Sequence, residues 1–205
     1  MKYLIGFCVI WILWLPQEAP KKANTRSTPT ETADPFDGAS VEKLASQCVT
    51  LETEAGAIEI AMMPESAPEA VRNFLNISAA GALDTTVFSR VVPGFVIQGG
   101  DLQTSQKWNA ELARRMSRRL PDEPGLVKHV RGIVSMARTN EPNSATTHFF
   151  ILVREAPHLD SKFAAFGTVM KGMEVVDAIN QAPVQAEKPE KPVKINRATV
   201  ATCKK

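Results

Sequence analysis

The chain has 205 residues, 22% of them charged, and a formal net charge of +2 at neutral pH. That length supports one full hydrophobic core with little left over. The near-neutral balance excludes a nucleic-acid binder that works through a large basic field.

The first residues set Lys2 before YLIGFCVIWILWL, an apolar run over 3–15. It is short for a bilayer span, which takes roughly 20 residues, and suits the apolar region of a secretory signal. Ala19 and Ala23 are candidate cleavage positions, although neither has a small residue three places upstream. Residues 1–19 are therefore expected to be a signal peptide or, if uncleaved, an N-terminal membrane anchor. Either places the protein outside the cytoplasm, periplasmic or secreted. Cys8 lies within the run, which argues against a lipid-modified cleavage at that cysteine. Residues 20–46 hold Pro20, Pro29 and Pro35 among Lys, Thr, Glu and Ala with no period of 2 or 3.6, and read as a disordered tether.

Order is expected from residue 47 to 203. CVTLETEAGAIEIAMM reads as a β-hairpin, with Val49 and Leu51 alternating, a turn at Ala55-Gly56, and Ile58, Ile60 and Met62 alternating again. PESAPEAVRNFLNISAAG reads as a helix. Ser66 is its expected cap, Pro68 fits its first turn, Gly81 suits a left-handed stop, and Val71, Phe74, Leu75 and Ser78 form the inner stripe. Short apolar segments follow at 86–92, 95–98, 132–137, 147–153 and 163–169. The connection 101–131 reads as surface loop, and its run Arg114, Arg115, Arg118, Arg119 as a solvated face rather than an anion-binding patch. GMEVVDAINQA predicts a second helix with Val175, Val176 and Ile179 inward, and KINRATVAT a last strand. The expected fold is mostly β: a closed antiparallel eight-stranded β-barrel capped by two α-helices.

Three segments carry more than structure: FSRVVPGFVIQGGD (88–101), GIVSMARTNEPNSATTHFFI (132–151) and PHLDSKFAAFGTVMKGMEVVDAI (157–179). In this order they resemble the cyclophilins, the peptidyl-prolyl cis/trans isomerases, over roughly residues 47–203. The resemblance implies an enzyme that speeds rotation about X-Pro bonds, here in exported proteins. Arg90 matches the arginine that hydrogen-bonds the prolyl nitrogen, and Gln98 the glutamine that orients it. Phe95, Val96, Met136, Phe150, Leu159 and Phe163 would line a proline pocket, and Ala137-Arg138 would pair with the substrate backbone. The partners implied are Pro-containing unfolded or flexible segments. No cofactor, metal or nucleic acid is implied, membrane contact would come only through the N-terminal segment, and a monomer is expected.

The sequence departs from the family pattern at several places. Ser89 stands where many members have histidine. His148 replaces a glutamine of the pocket wall, His158 replaces the tryptophan that binds cyclosporin in many eukaryotic members, and Phe163 replaces a histidine at the pocket edge. Substrate range and inhibitor binding are affected before catalysis is. His148 near Arg90 could make the rim pH-sensitive, or stay neutral. The spacing of His129, His148 and His158 fits no zinc pattern, and no nucleophile elbow supports a Ser144, His148, Asp160 triad. The alternative function is a non-catalytic module that holds Pro-containing segments. In such a fold Cys48 and Cys203 fall at adjoining strand ends, where a disulfide and two buried free thiols are both open.

Overall fold

The computed structural model describes residues 33–203. The expected leader and most of the expected tether lie outside the described residues. Residues 33–46, read from the sequence as tether, are folded. Asp34 to Gly38 form turns, and Ser40 caps the short helix α1 (Val41–Ala45), whose Leu44 is fully buried. The segment is fastened from below: Arg72 donates to the carbonyls of Phe36 and Ala39, Asn76 accepts from the Phe36 N–H, and Arg115 forks onto Asp34. Composition hid this, because the buried groups, Phe36 and Leu44, are single residues in a polar stretch.

β1 (Gln47–Thr53) and β2 (Gly56–Met62) form the expected hairpin, with Val49, Leu51, Ile58 and Ile60 fully buried. Helix α2 (Pro68–Ala79) follows, its stripe of Val71, Phe74, Leu75 and Ser78 inward, and Gly81 stops it at φ +66°. Ser66 does not cap it. The Glu123 carboxylate does, accepting from the N–H groups of Glu69 and Ala70 at 2.9 Å each. An anion at the positive helix end outcompetes a hydroxyl there.

β3 (Arg90–Val92) and β4 (Val96–Gly99) make a second hairpin. The connection 101–131 is more than loop. It holds a 3-10 turn at Leu102–Thr104 and helix α3 (Ala110–Ser117), capped by Asn109 and pinned through Leu112. Three of the four arginines in the run are paired: Arg115 with Asp34 and Glu111, Arg114 with Glu111, and Arg119 with Glu141. β5 (Ile133–Met136), β6 (Phe149–Leu152), β7 (Ala165–Lys171) and α4 (Met173–Asn180) complete the expected central elements. A small hairpin, β8 (Val184–Gln185) with β9 (Lys188–Pro189), precedes β10 (Ile195–Thr202).

Eight strands pair antiparallel in the order β10-β1-β2-β7-β5-β6-β4-β3. The expected closed barrel is therefore corrected to an open, half-barrel sheet. The β3 edge is short, and the β8–β9 turn occupies it, with the Val91 N–H donating to the Glu187 carbonyl at 2.9 Å. The chain ahead of β3 meets the start of β10, where Thr85, Thr86 and Phe88 exchange backbone bonds with Val193 and Ile195. Across β1 and β10, Cys48 and Cys203 form a disulfide with Cα atoms 5.0 Å apart, which resolves the alternative left open by the sequence.

Strand periodicity sorts the apolar residues onto two faces. Ile97, Val134, Phe149, Ile151 and Phe166 point into the main core, where Phe74 of α2 meets Phe149 at 5.2 Å and Phe166 at 4.9 Å. Their neighbours Val96, Ile133, Phe150, Leu152 and Ala165 point the other way and form a smaller cluster with Ala156 and Leu159.

Candidate active site

The smaller cluster is the floor of the site. Arg90 and Gln98 are direct cross-strand partners of the β3–β4 hairpin, so their side chains share a face. Arg90 Nη1 donates to Gln98 Oε1 at 3.2 Å, and Arg90 Nε donates to Glu187 Oε2 at 2.8 Å. The guanidinium is thus held from two sides while remaining 42% exposed.

The hairpin turn is set by Pro93-Gly94. Phe95 N–H donates back to the Val92 carbonyl, and Gly94 takes φ +67°, the arrangement of a type II turn. Asn180, at the end of α4 and nearly fully buried, clamps this turn. Its amide donates to the carbonyls of Val92 and Val96 and accepts from the Gly94 N–H at 2.7 Å. Past β4, Gly100 adopts φ +83°, and a Cβ there would run into the Thr147 carbonyl. Thr147 Oγ1 in turn donates to the Gly100 carbonyl, tying β4 to the entry of β6.

A cavity of about 170 Å³ opens beside Arg90 and Gln98, lined by Phe95, Val96, Ala137, Arg138, Phe150, Leu159 and Phe163. Val96, Phe150 and Leu159 are buried floor, whereas Phe95 and Phe163 are half-buried walls. Phe163 packs edge-on against Phe150 at 5.9 Å. Two cations brace the walls: Arg138 lies over the Phe163 ring at 5.1 Å and Arg154 over Phe95 at 5.5 Å. The Ala137 N–H is already bonded to the His148 carbonyl, so this edge offers a bound chain only its remaining backbone groups.

Nine of the twelve residues singled out from the sequence line this cavity: Arg90, Phe95, Val96, Gln98, Ala137, Arg138, Phe150, Leu159 and Phe163. His148 lines an adjoining pocket with Thr139, Ser144 and Thr146, on the other side of Arg90 and Gln98. Burial pushes its pKa below the ordinary 6.5, opposed in part by the Asp101 carboxylate. His158 is exposed and reaches the site only by stacking on Phe95, ring centres 5.7 Å apart. Met136 turns away: it is 2% exposed in the main core, because in β5 it shares parity with Val134 and not with Ile133. Asn180, Arg154 and Glu187 carried no signal in the sequence. Asn180 and Glu187 are brought to the site by elements remote from the β3–β4 hairpin, and Arg154 by the bend just after β6.

A cavity sized for a small apolar ring, with a fixed guanidinium at its lip, fits recognition of a peptide at proline. The family profile described as "Cyclophilin type peptidyl-prolyl cis-trans isomerase/CLD" matches residues 48–200. The chain belongs to the cyclophilins. It is 40% identical over 164 residues to "Peptidyl-prolyl cis-trans isomerase A" of Dickeya dadantii, covering 74% of this chain and 83% of that one. It is 37% identical to the peptidyl-prolyl cis-trans isomerase of Acinetobacter baylyi, covering 76% and 86%. A solved cyclophilin-type isomerase of Cryptosporidium parvum, crystallised in the presence of the dipeptide Ala-Pro, superposes with a TM-score of 0.67 at 28% identity, covering 76% of this chain and 99% of its own. This cyclophilin is a peptidyl-prolyl cis-trans isomerase. Of its departures from the family pattern, Phe163 walls the cavity, His148 lines the adjoining pocket and His158 stacks behind Phe95, and none displaces Arg90.

Proposed function

We propose that Arg90 drives the isomerisation by binding the prolyl nitrogen as the X-Pro bond twists. A planar amide faces a rotation barrier of ~18–20 kcal/mol because its nitrogen lone pair is delocalised into the carbonyl. When the bond twists, that lone pair localises and becomes an acceptor. A guanidinium placed against it stabilises the twisted state over both planar ones, and only such differential binding accelerates the step. The observation that carries the assignment is the paired restraint of Arg90 by Gln98 and Glu187 at the lip of the apolar cavity.

The ring of the substrate proline rests on Val96, Phe150 and Leu159 between the walls Phe95 and Phe163. Burying it contributes about 2 kcal/mol at ~25 cal/mol per Å², which favours quick release. The Ala-Pro dipeptide of the Cryptosporidium parvum structure supports a Pro-containing peptide as the occupant here as well. Clients are proteins maturing outside the cytoplasm. The apolar run at 3–15 supports that placement, as does the Cys48–Cys203 disulfide, a bond that persists in oxidising compartments.

Arg90→Ala tests the mechanism. Losing a charge-assisted bond of about 1.5–3 kcal/mol is expected to lower the maximal rate on a short X-Pro peptide at least ~tenfold, with a smaller effect on peptide affinity. An unchanged rate would leave only a peptide-holding role for the site. N-terminal sequencing of the protein recovered from a periplasmic fraction tests the location.

A further inference from the structure

The turn between β8 and β9 has two residues, Ala186 and Glu187, joining the pairs Gln185–Lys188 and Val184–Pro189. Both residues lie in the left-handed region, at φ +48° and +66°. Two-residue turns of this kind ordinarily use Asn and Gly, since a Cβ is unfavourable there. Here an alanine and a glutamate hold it. Strain of this sort persists where surrounding structure enforces it, and it marks positions worth a functional question.

The enforcement is visible. The Glu187 carbonyl accepts from the Val91 N–H at 2.9 Å, which docks the turn on β3 one residue beyond Arg90. From that backbone position the Glu187 side chain reaches Arg90, and Oε2 accepts from Nε at 2.8 Å. Gln98 holds Nη1 from the opposite strand. Two of the guanidinium's three nitrogens are therefore occupied by protein, and the plane of the fork is fixed. Neither Gln98 nor Glu187 engages Nη2, which leaves that nitrogen for a bound chain.

We infer that Glu187 is a positioning residue for turnover: its carboxylate locks the Arg90 guanidinium in the orientation that meets the twisted prolyl nitrogen. This rests on Arg90 being the catalytic cation. A carboxylate also offsets part of the positive charge, and the two effects oppose each other. Orientation dominates, because the pair is about half exposed, 42% and 50%, so solvent screens the attraction, whereas a displaced catalytic group loses rate steeply. An arginine free of Glu187 would swing toward solvent over the rim.

The experiment compares the full chain with Glu187→Ala, Glu187→Gly and Glu187→Gln, measuring maximal isomerisation rate and peptide Kd separately by NMR exchange on an Ala-Pro peptide. Glu187→Ala is expected to lower the maximal rate about tenfold with Kd within about twofold. Glu187→Gly suits the left-handed backbone and keeps the turn, and should lose rate equally. Glu187→Gln keeps an oxygen acceptor for Nε and should lose less than about threefold. The Arg90 Nε–H signal should exchange faster with water in the Ala and Gly variants than in the Gln variant. In an Arg90→Ala background, Glu187→Ala should change the residual rate less than about twofold, since nothing remains to position. A wild-type maximal rate in Glu187→Ala, equal losses for Ala and Gln, or an undiminished loss in the Arg90→Ala background would each overturn the inference. A wild-type rate in Arg90→Ala alone would instead overturn the catalytic assignment of that arginine, which is a separate result.

Discussion

The main core and the smaller cluster are built from the same strands, one residue out of step. Ile97 and Phe149 point into the core, and Val96 and Phe150, their chain neighbours, point to the site. What differs is the cover. The inner face is closed by α2 and α4, so Phe149 and Ile97 are fully excluded from water. Among the described residues no α-helix covers the outer face, and only the 3-10 turn at Pro157–Leu159, with Ala156 before it, packs there. That face is finished by Phe95 and Phe163, which are half-buried and leave a cavity between them. Identical local chemistry thus gives stability on one side of the sheet and binding on the other, and the missing layer makes the difference.

Substitutions should separate the two faces. The largest effect is expected inside: Phe149→Ala removes the ring that meets both Phe74 and Phe88, and should destabilise by about 3–5 kcal/mol in urea unfolding. A loss no larger than that of a surface truncation would break the contrast. Next comes the disulfide, which ties the first and last strands of the sheet together across 155 residues of chain. Reducing it, or Cys48→Ala with Cys203→Ala, should lower stability by about 2–5 kcal/mol while the rate on a short peptide stays near wild type. A collapse of activity at temperatures where the reduced protein is still folded would show the faces to be coupled.

On the outer side, Asn180→Ala removes the clamp on the Val92–Val96 turn. It should weaken stability by about 1–3 kcal/mol and also loosen peptide binding, because the turn carries Phe95. Phe95→Ala should do the reverse of Phe149→Ala: peptide affinity falls about tenfold while stability changes by less than ~1.5 kcal/mol, since the wall is already wet. Calorimetric titration with an Ala-Pro peptide beside thermal unfolding would read both.

The smallest effect concerns pH. Burial pushes both His129 and His148 below the ordinary 6.5, with Asp160 opposing it at His129 and Asp101 at His148. Above that value both are neutral whether folded or not, so stability is flat. Below it the unfolded chain takes up protons first, and stability falls until the folded-state pKa values are reached. The urea midpoint should therefore hold from about pH 8 to 7 and decline as pH drops under about 6.5, less steeply in His148→Gln. A midpoint that rises on acidification would contradict the burial of these rings. It follows that the rim beside Arg90 is uncharged at His148 near neutral pH, which favours the neutral reading of the two left open by the sequence.

Much of this was legible from the residues. Hairpins with period two and a helix ending at Gly81 needed only local chemistry, and the pairing of Arg90 with Gln98 came through the family resemblance. Where reading failed, a distant partner had intervened. Ser66 lost its capping role to Glu123, and Phe36 and Leu44 drew residues 33–46 into the fold, whereas Met136 was a local miss of strand parity with Val134. Helix α3 escaped notice because its arginine-rich face looks like loop until Asp34 and Glu111 are seen against it.

The order of motifs along the chain determined the family, and through the resemblance pointed to Arg90 at the lip of the site, because the matching segments carry that arginine in the same order. Tertiary structure alone decided that the sheet stays open, that Cys48 meets Cys203, that Asn180 holds the turn bearing Phe95, and that Glu187 grips Arg90. The physical reason is common to the three pairings. Each joins groups roughly 85 to 155 residues apart, and no local propensity or period records which distant strand edge or side chain a folded chain will bring alongside.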